Sequence, residues 1–309
     1  MDIDLKTYLL FVGCSSVVCF LWYFLALRRK TETGRAAAAS AVSLVLGIAL
    51  GIACARLGWV LMRIESRPPL FALAHDELSF FGGMAGVILA VFLAAKLFRL
   101  PARETLNTFA PMGALLAALI RFAEGFLGLY GVGYVEDWLE TGVFFPVTVE
   151  IVWDEYYSEF YFAVFMLSGL FSLIAMVLSL VHGKEKNRFT RTLFYLCLPQ
   201  ILCESLRLQA IVWLFVKEEQ LLCYLVCEGI LVAYAVRAGA KRFRSWVPAL
   251  AGLAVCGILV ALEFAIDGKI TVAENMIPLW VSYLVMAAAL AVMAVMEHMG
   301  NRMQKKAEA

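Results

Sequence analysis

Charge is scarce in this chain: only 17% of its 309 residues are Asp, Glu, Lys or Arg, and histidine occurs three times. No basic patch interleaved with aromatics is present, which argues against a nucleic-acid partner. No nucleotide-binding loop, zincin motif, nucleophile elbow or haem attachment site is present either, so no cofactor and no metal are expected. The eight cysteines form no CxxC pair and all fall in apolar runs, so they read as small buried apolar residues rather than as disulfides or metal ligands. The first apolar run lacks a small-residue cleavage site. Its basic flank, Arg28-Arg29-Lys30, follows the run instead of preceding it, so the run is expected to stay as a helix and not to be removed as a signal peptide.

What fills the chain is apolar. Hydrophobic residues make up 63% of it and the mean hydropathy is +0.84, with runs of about 20 apolar residues recurring along its length. The fold class that follows is all-α, a polytopic membrane helix bundle with about nine transmembrane helices. They are placed near residues 8–27, 36–60, 80–98, 108–127, 159–182, 191–215, 219–236, 246–266 and 275–297. If the N-terminus lies outside, 18 of the 26 basic residues fall in inner segments. That asymmetry places the N-terminus outside and the C-terminus in the cytoplasm.

Against this background a few polar residues stand out. Arg121 and Glu124 sit in the run Ala114 to Gly131, spaced i, i+3, and Gln200, Glu204 and Arg207 sit in another at i, i+4, i+7. Each set is expected on one helix face. An Arg near the centre of a membrane helix costs roughly 2.5–3.5 kcal/mol on insertion scales, and such residues face a protein interior or a water-filled cavity. Two readings fit. One is an ion-pair network locking helices together. The other is an anion site, since guanidinium groups match phosphate oxygens bidentately and stay charged when buried; in a membrane the anion would be a phospholipid head group. Arg56 lies near an outer helix end and either joins that site or snorkels to the interface. Gly82 and Gly83 open the third helix and permit close helix approach or backbone access to a ligand. His75 is the one imidazole expected near the outer face, and it reads equally as an exposed loop residue. Glu228 is an intramembrane carboxylate with no assigned partner. The acidic, aromatic loop at about 128–158 reads as a solvated face or as a cover for the cavity.

Several stretches resemble prolipoprotein diacylglyceryl transferase. They are Ala55-Arg56-Leu57-Gly58-Trp59, then Leu78-Ser79-Phe80-Phe81-Gly82-Gly83-Met84-Ala85-Gly86, then Ala110-Pro111 ahead of Ile120-Arg121-Phe122, then Tyr157-Ser158-Glu159, and finally Glu204-Ser205-Leu206-Arg207. The resemblance implies a seven-helix transferase-like membrane core over residues 1–240, followed by two extra transmembrane helices and a short basic cytoplasmic tail over residues 241–309. It also implies an activity: transfer of the diacylglyceryl group of phosphatidylglycerol to the lipobox cysteine thiol of a prolipoprotein signal peptide, with loss of glycerol 1-phosphate, at the bacterial plasma membrane. Related readings are a lipid-modifying transferase with another acceptor, and a phospholipid-binding bundle without turnover.

Residue by residue, Arg121 matches the Arg that opens the family's Arg-x-Gly-Asn-Phe signature, with Ala123 and Glu124 in place of the Gly and Asn. Glu204 and Arg207 match its later Glu-x-x-Arg, and Glu159 closes its Gln-x-Tyr-Glu segment, where Tyr156 takes the place of the Gln. Phe81 stands where a His is expected, Gln200 where an Arg is expected, and Trp153-Asp154 where a His-Pro is expected. The resemblance thus implies Arg121, Glu124, Glu204 and Arg207 as catalytic residues, and Arg56, Gly82, Gly83, Glu159 and Gln200 as substrate-binding ones. Glu124 and His75 are the remaining candidates for a base.

Overall fold

The computed structural model describes residues 4–62, 78–133, 146–152, 158–182, 186–208, 212–213, 216–239, 242–266 and 279–308. Among them are nine α-helices, of which eight are long and apolar enough to cross a membrane. The bundle is all-α, as the hydropathy pattern predicts. It divides into two compact units, Met1–Thr192 with Leu206–Gln209, and Leu193–Ser205 with Ala210–Ala309.

The first unit holds α1 (Leu5–Leu27), α2 (Thr33–Met62), α3 (Phe80–Leu97), α4 (Ala102–Ala123) and α5 (Val164–Val181). Asp4 caps α1, accepting from the Thr7 backbone N–H at 2.9 Å. Bonding to Thr7 holds the Asp4 carboxyl below its ordinary range. The most extensive helix pair is α2 with α3, and glycine makes it possible. A Cβ on Gly82 would lie 2.5 Å from the Cys54 carbonyl oxygen, and one on Gly86 would overlap the Leu50 carbonyl. Small residues let the two backbones approach in this way. Gly82 therefore serves helix packing, one of the two roles its position allows. The core of this unit gathers Phe20, Tyr23, Val91, Phe109 and Leu116.

Two segments depart from the predicted spans. The fifth span, predicted from residue 159, begins as helix only at Val164; ahead of it β1 (Thr148–Val152) and β2 (Ser158–Phe162) pair antiparallel, Ile151 opposite Glu159. The alternating, β-branched and aromatic residues Thr148-Val149-Glu150-Ile151-Val152 and Phe160-Tyr161-Phe162 suit a pleated surface. The sixth span, predicted over 191–215, is α6 (Arg188–Leu206) and stops there. Arg191, Thr192, Gln200 and Glu204 keep its hydropathy low, and it is the one helix of the nine that does not qualify as a span. After Leu206 the backbone leaves the helix: Arg207 forms a bridge with Gly133, and the Leu208 N–H donates to the Val132 carbonyl at 3.0 Å. Arg207 is consequently not on the helix face of Gln200 and Glu204, because these bonds replace the helical ones.

The second unit holds most of α6 with β3 (Val212–Trp213), β4 (Val216–Lys217), α7 (Glu218–Gly239), α8 (Phe243–Ile266) and α9 (Leu279–Glu308). Helices α7, α8 and α9 pack mutually. Gly252 of α8 leaves room for the Glu228 carboxylate of α7, which a Cβ there would meet at 2.6 Å.

Candidate functional site

The first unit brings together three of the charged residues singled out in the sequence. Arg121 occupies the last turn of α4, where i, i+3 spacing places it beside Glu124 at the start of a 3-10 segment, Glu124–Gly131. Arg121 Nη1 donates to Glu124 Oε1 at 2.6 Å. Arg207 reaches the other oxygen: its Nη1 and Nη2 each donate to Glu124 Oε2 at 3.0 Å. All three side chains are buried, with relative exposures of 1% for Arg121, 7% for Glu124 and 8% for Arg207. One carboxylate thus holds two guanidiniums inside an apolar bundle. Both carboxylate oxygens are engaged by cations, which suits Glu124 to holding the arginines.

Backbone contacts fix the cluster. Gly133 follows the 3-10 segment, and its backbone exchanges hydrogen bonds with Phe162 of β2 at 2.8 and 3.3 Å while bridging to Arg207 on its other side. A Cβ on Gly133 would overlap the Leu206 carbonyl, so the close approach that delivers Arg207 needs glycine here. Aromatic rings cover Arg121. Its guanidinium lies 3.7 Å from the Phe80 ring centre and 5.7 Å from that of Phe81. Ser79 caps α3, its hydroxyl accepting from the Gly82 N–H at 3.2 Å, and its own N–H donates to the Ala55 carbonyl at 3.0 Å. This anchors the start of α3, and with it Phe80, beside the last turns of α2.

The other expected residues lie on α2, α3, α6 and β2. Arg56 is buried, 3% exposed, with its guanidinium 4.6 Å from the Trp59 ring centre; it does not snorkel into solvent. Glu159 is on β2, where the Tyr161 hydroxyl donates to it. A Cβ on Gly83 would meet Ala55 and Gly51 of α2 at 3.6 Å, an ordinary contact. Gln200 and Glu204 are buried on α6 within the second unit. His75 and the segment 153–157 lie outside the described residues. Sequence reasoning missed Phe80 as the ring under Arg121 and Gly133 as the backbone link to Arg207. Only the adjacency of Phe80 to the Gly82-Gly83 pair hinted at the former. Between the 3-10 segment and the hairpin, a mostly apolar recess of about 160 Å³ is lined by Gly125, Gly128, Val132, Ile151 and Phe165.

The family model for prolipoprotein diacylglyceryl transferase matches residues 1–236, which takes in every residue of the cluster. The chain belongs to that family. No curated protein and no solved structure matches it. As a member of the prolipoprotein diacylglyceryl transferase family it is a multi-pass membrane protein of the transferase type. Phe81, at the position of the expected His, turns an aromatic face toward Arg121 instead of an imidazole nitrogen. Glu124, at the position of the expected Asn, adds a charge that two arginines share.

Proposed function

We propose that the chain transfers the diacylglyceryl group of phosphatidylglycerol to the lipobox cysteine of a prolipoprotein signal peptide, at the bacterial plasma membrane, with its N-terminus outside and residues 1–240 as the transferase core. The observation that carries this reading is the pair of buried guanidiniums held on Glu124.

In this reaction the cysteine sulfur attacks the lipid CH2 carbon that bears the phosphate. A carbon–sulfur bond forms, the carbon–oxygen bond breaks, and glycerol 1-phosphate departs. The bond electrons go to the phosphate oxygen, so negative charge grows on the phosphate as the bond breaks. The thiol proton leaves to the departing phosphate monoester or to water. Preorganised cations in a water-poor site stabilise that growing charge more than they stabilise the lipid ground state. Arg121 and Arg207 supply them. Glu124 fixes their positions and limits the desolvation cost of two buried cations. Arg56, Glu159, Gln200 and Glu204 are the further residues we assign to substrate binding, with Gly82 and Gly83, which hold α2 and α3 in contact.

The test is release of glycerol phosphate from phosphatidylglycerol by the purified chain in mixed micelles with a lipobox peptide. The reading expects release that requires both the peptide cysteine and Arg121. A related transferase with another acceptor would bind the lipid in an Arg121-dependent way and release nothing with this peptide.

A further inference from the structure

Glu263 lies near the end of α8, beyond residue 236 where the family match stops. It is fully buried. Its Oε2 accepts from the Ser205 hydroxyl at 2.5 Å and from Gln220 Nε2 at 3.2 Å, and its Oε1 stands 3.8 Å from Lys217 Nζ. Lys217 in turn donates to the Ser205 carbonyl at 2.7 Å, and Gln220 Nε2 also reaches the Ile201 carbonyl at 3.2 Å. All five residues belong to the second unit. One carboxylate from outside the matched region therefore gathers the last turn of α6, the end of β4 and the first turn of α7. A carboxylate in an apolar helix is costly and is tolerated where partners such as these satisfy it. Ser205, which it holds by the side chain directly and by the main chain through Lys217, sits between Glu204 and Arg207.

We infer that Glu263 is a positioning residue for Glu204 and Ser205, so that the appended helix α8 is part of the working enzyme. This rests on the transferase reading above, in which Glu204 is one of the residues that bind substrate. Glu297 of α9 offers a contrast within the same unit. It too is fully buried, accepting from the Tyr195 and Tyr234 hydroxyls at 2.9 and 3.3 Å, but its partners lie on α6 and α7 away from Glu204 and Ser205.

The experiment compares Glu263→Gln with Glu297→Gln, both in the full chain in phosphatidylglycerol micelles. Glu263→Gln keeps the size of the side chain and removes the charge that accepts from Ser205 and Gln220. A KM for phosphatidylglycerol raised about tenfold in Glu263→Gln supports the inference. Glu297→Gln lowers the unfolding temperature and leaves KM unchanged. Loss of folded protein alone lowers the apparent kcat without moving KM, so an unchanged KM in folded Glu263→Gln overturns the inference. Should that variant not fold, Glu263→Asp, which keeps the charge on a shorter stem, is read by the same criterion. If wild type releases no glycerol phosphate, the transferase reading fails on its own. The inference is then read from phosphatidylglycerol affinity: weaker binding in Glu263→Gln supports it and equal binding overturns it.

Discussion

The Arg121 guanidinium lies 3.7 Å from the centre of the Phe80 ring while donating to Glu124 at 2.6 Å. An aromatic face and a carboxylate both hold this buried cation. Since Phe80 is the first residue of α3 and Arg121 is in the last turn of α4, the contact also sets how those two helix ends meet.

Replacing Phe80 by Leu removes the ring quadrupole from a desolvated guanidinium, worth about 2 kcal/mol. The expected result is a roughly thirtyfold fall in kcat/KM for phosphatidylglycerol, with Phe80→Tyr within about threefold of wild type. Steady-state glycerol phosphate release across the three proteins checks it.

Glu124→Gln leaves two buried guanidiniums facing a neutral amide. Breaking a buried ion pair from one side costs about 3–5 kcal/mol, whereas replacing all partners by apolar residues of similar volume is often neutral. Thermal unfolding in detergent should therefore show a large drop for Glu124→Gln and recovery in the triple variant Arg121→Met, Glu124→Leu, Arg207→Met. That recovered protein should release no glycerol phosphate, which separates the cluster's contribution to stability from its chemistry.

The α2–α3 contact makes a graded prediction. Gly82→Ala and Gly86→Ala place a Cβ against carbonyl oxygens of α2 and should each destabilise the chain by about 1–3 kcal/mol. Gly83→Ala meets its neighbours at 3.6 Å, an ordinary contact, and should leave the unfolding temperature near that of wild type.

Much of this was legible in the sequence, and the reasons differ by residue. Helices announce themselves through hydropathy, and the Arg121–Glu124 pair follows from i, i+3 geometry alone. Arg207 was misplaced because a 3.6-residue period was carried past Leu206, where bonds to Val132 and Gly133 take over the backbone. Those partners are more than seventy residues away in the chain, and local periodicity carries no record of them. The strand pair of 148–152 with 158–162 reads from sequence as part of a loop and a span for a related reason: Phe160, Tyr161 and Phe162 are as apolar as a helix start, and only pairing with β1 decides between the two. Phe80 and Glu263 are tertiary facts as well. A ring becomes a cation's neighbour, and a carboxylate becomes a clamp, only once distant helices are packed.

The most direct test of the central claim is glycerol phosphate release from phosphatidylglycerol by the purified chain, with a lipobox peptide carrying Cys or Ser, for wild type and Arg121→Ala. The account predicts release with wild type and the Cys peptide only. Release that persists in Arg121→Ala, or that is equal with the Ser peptide, would contradict it.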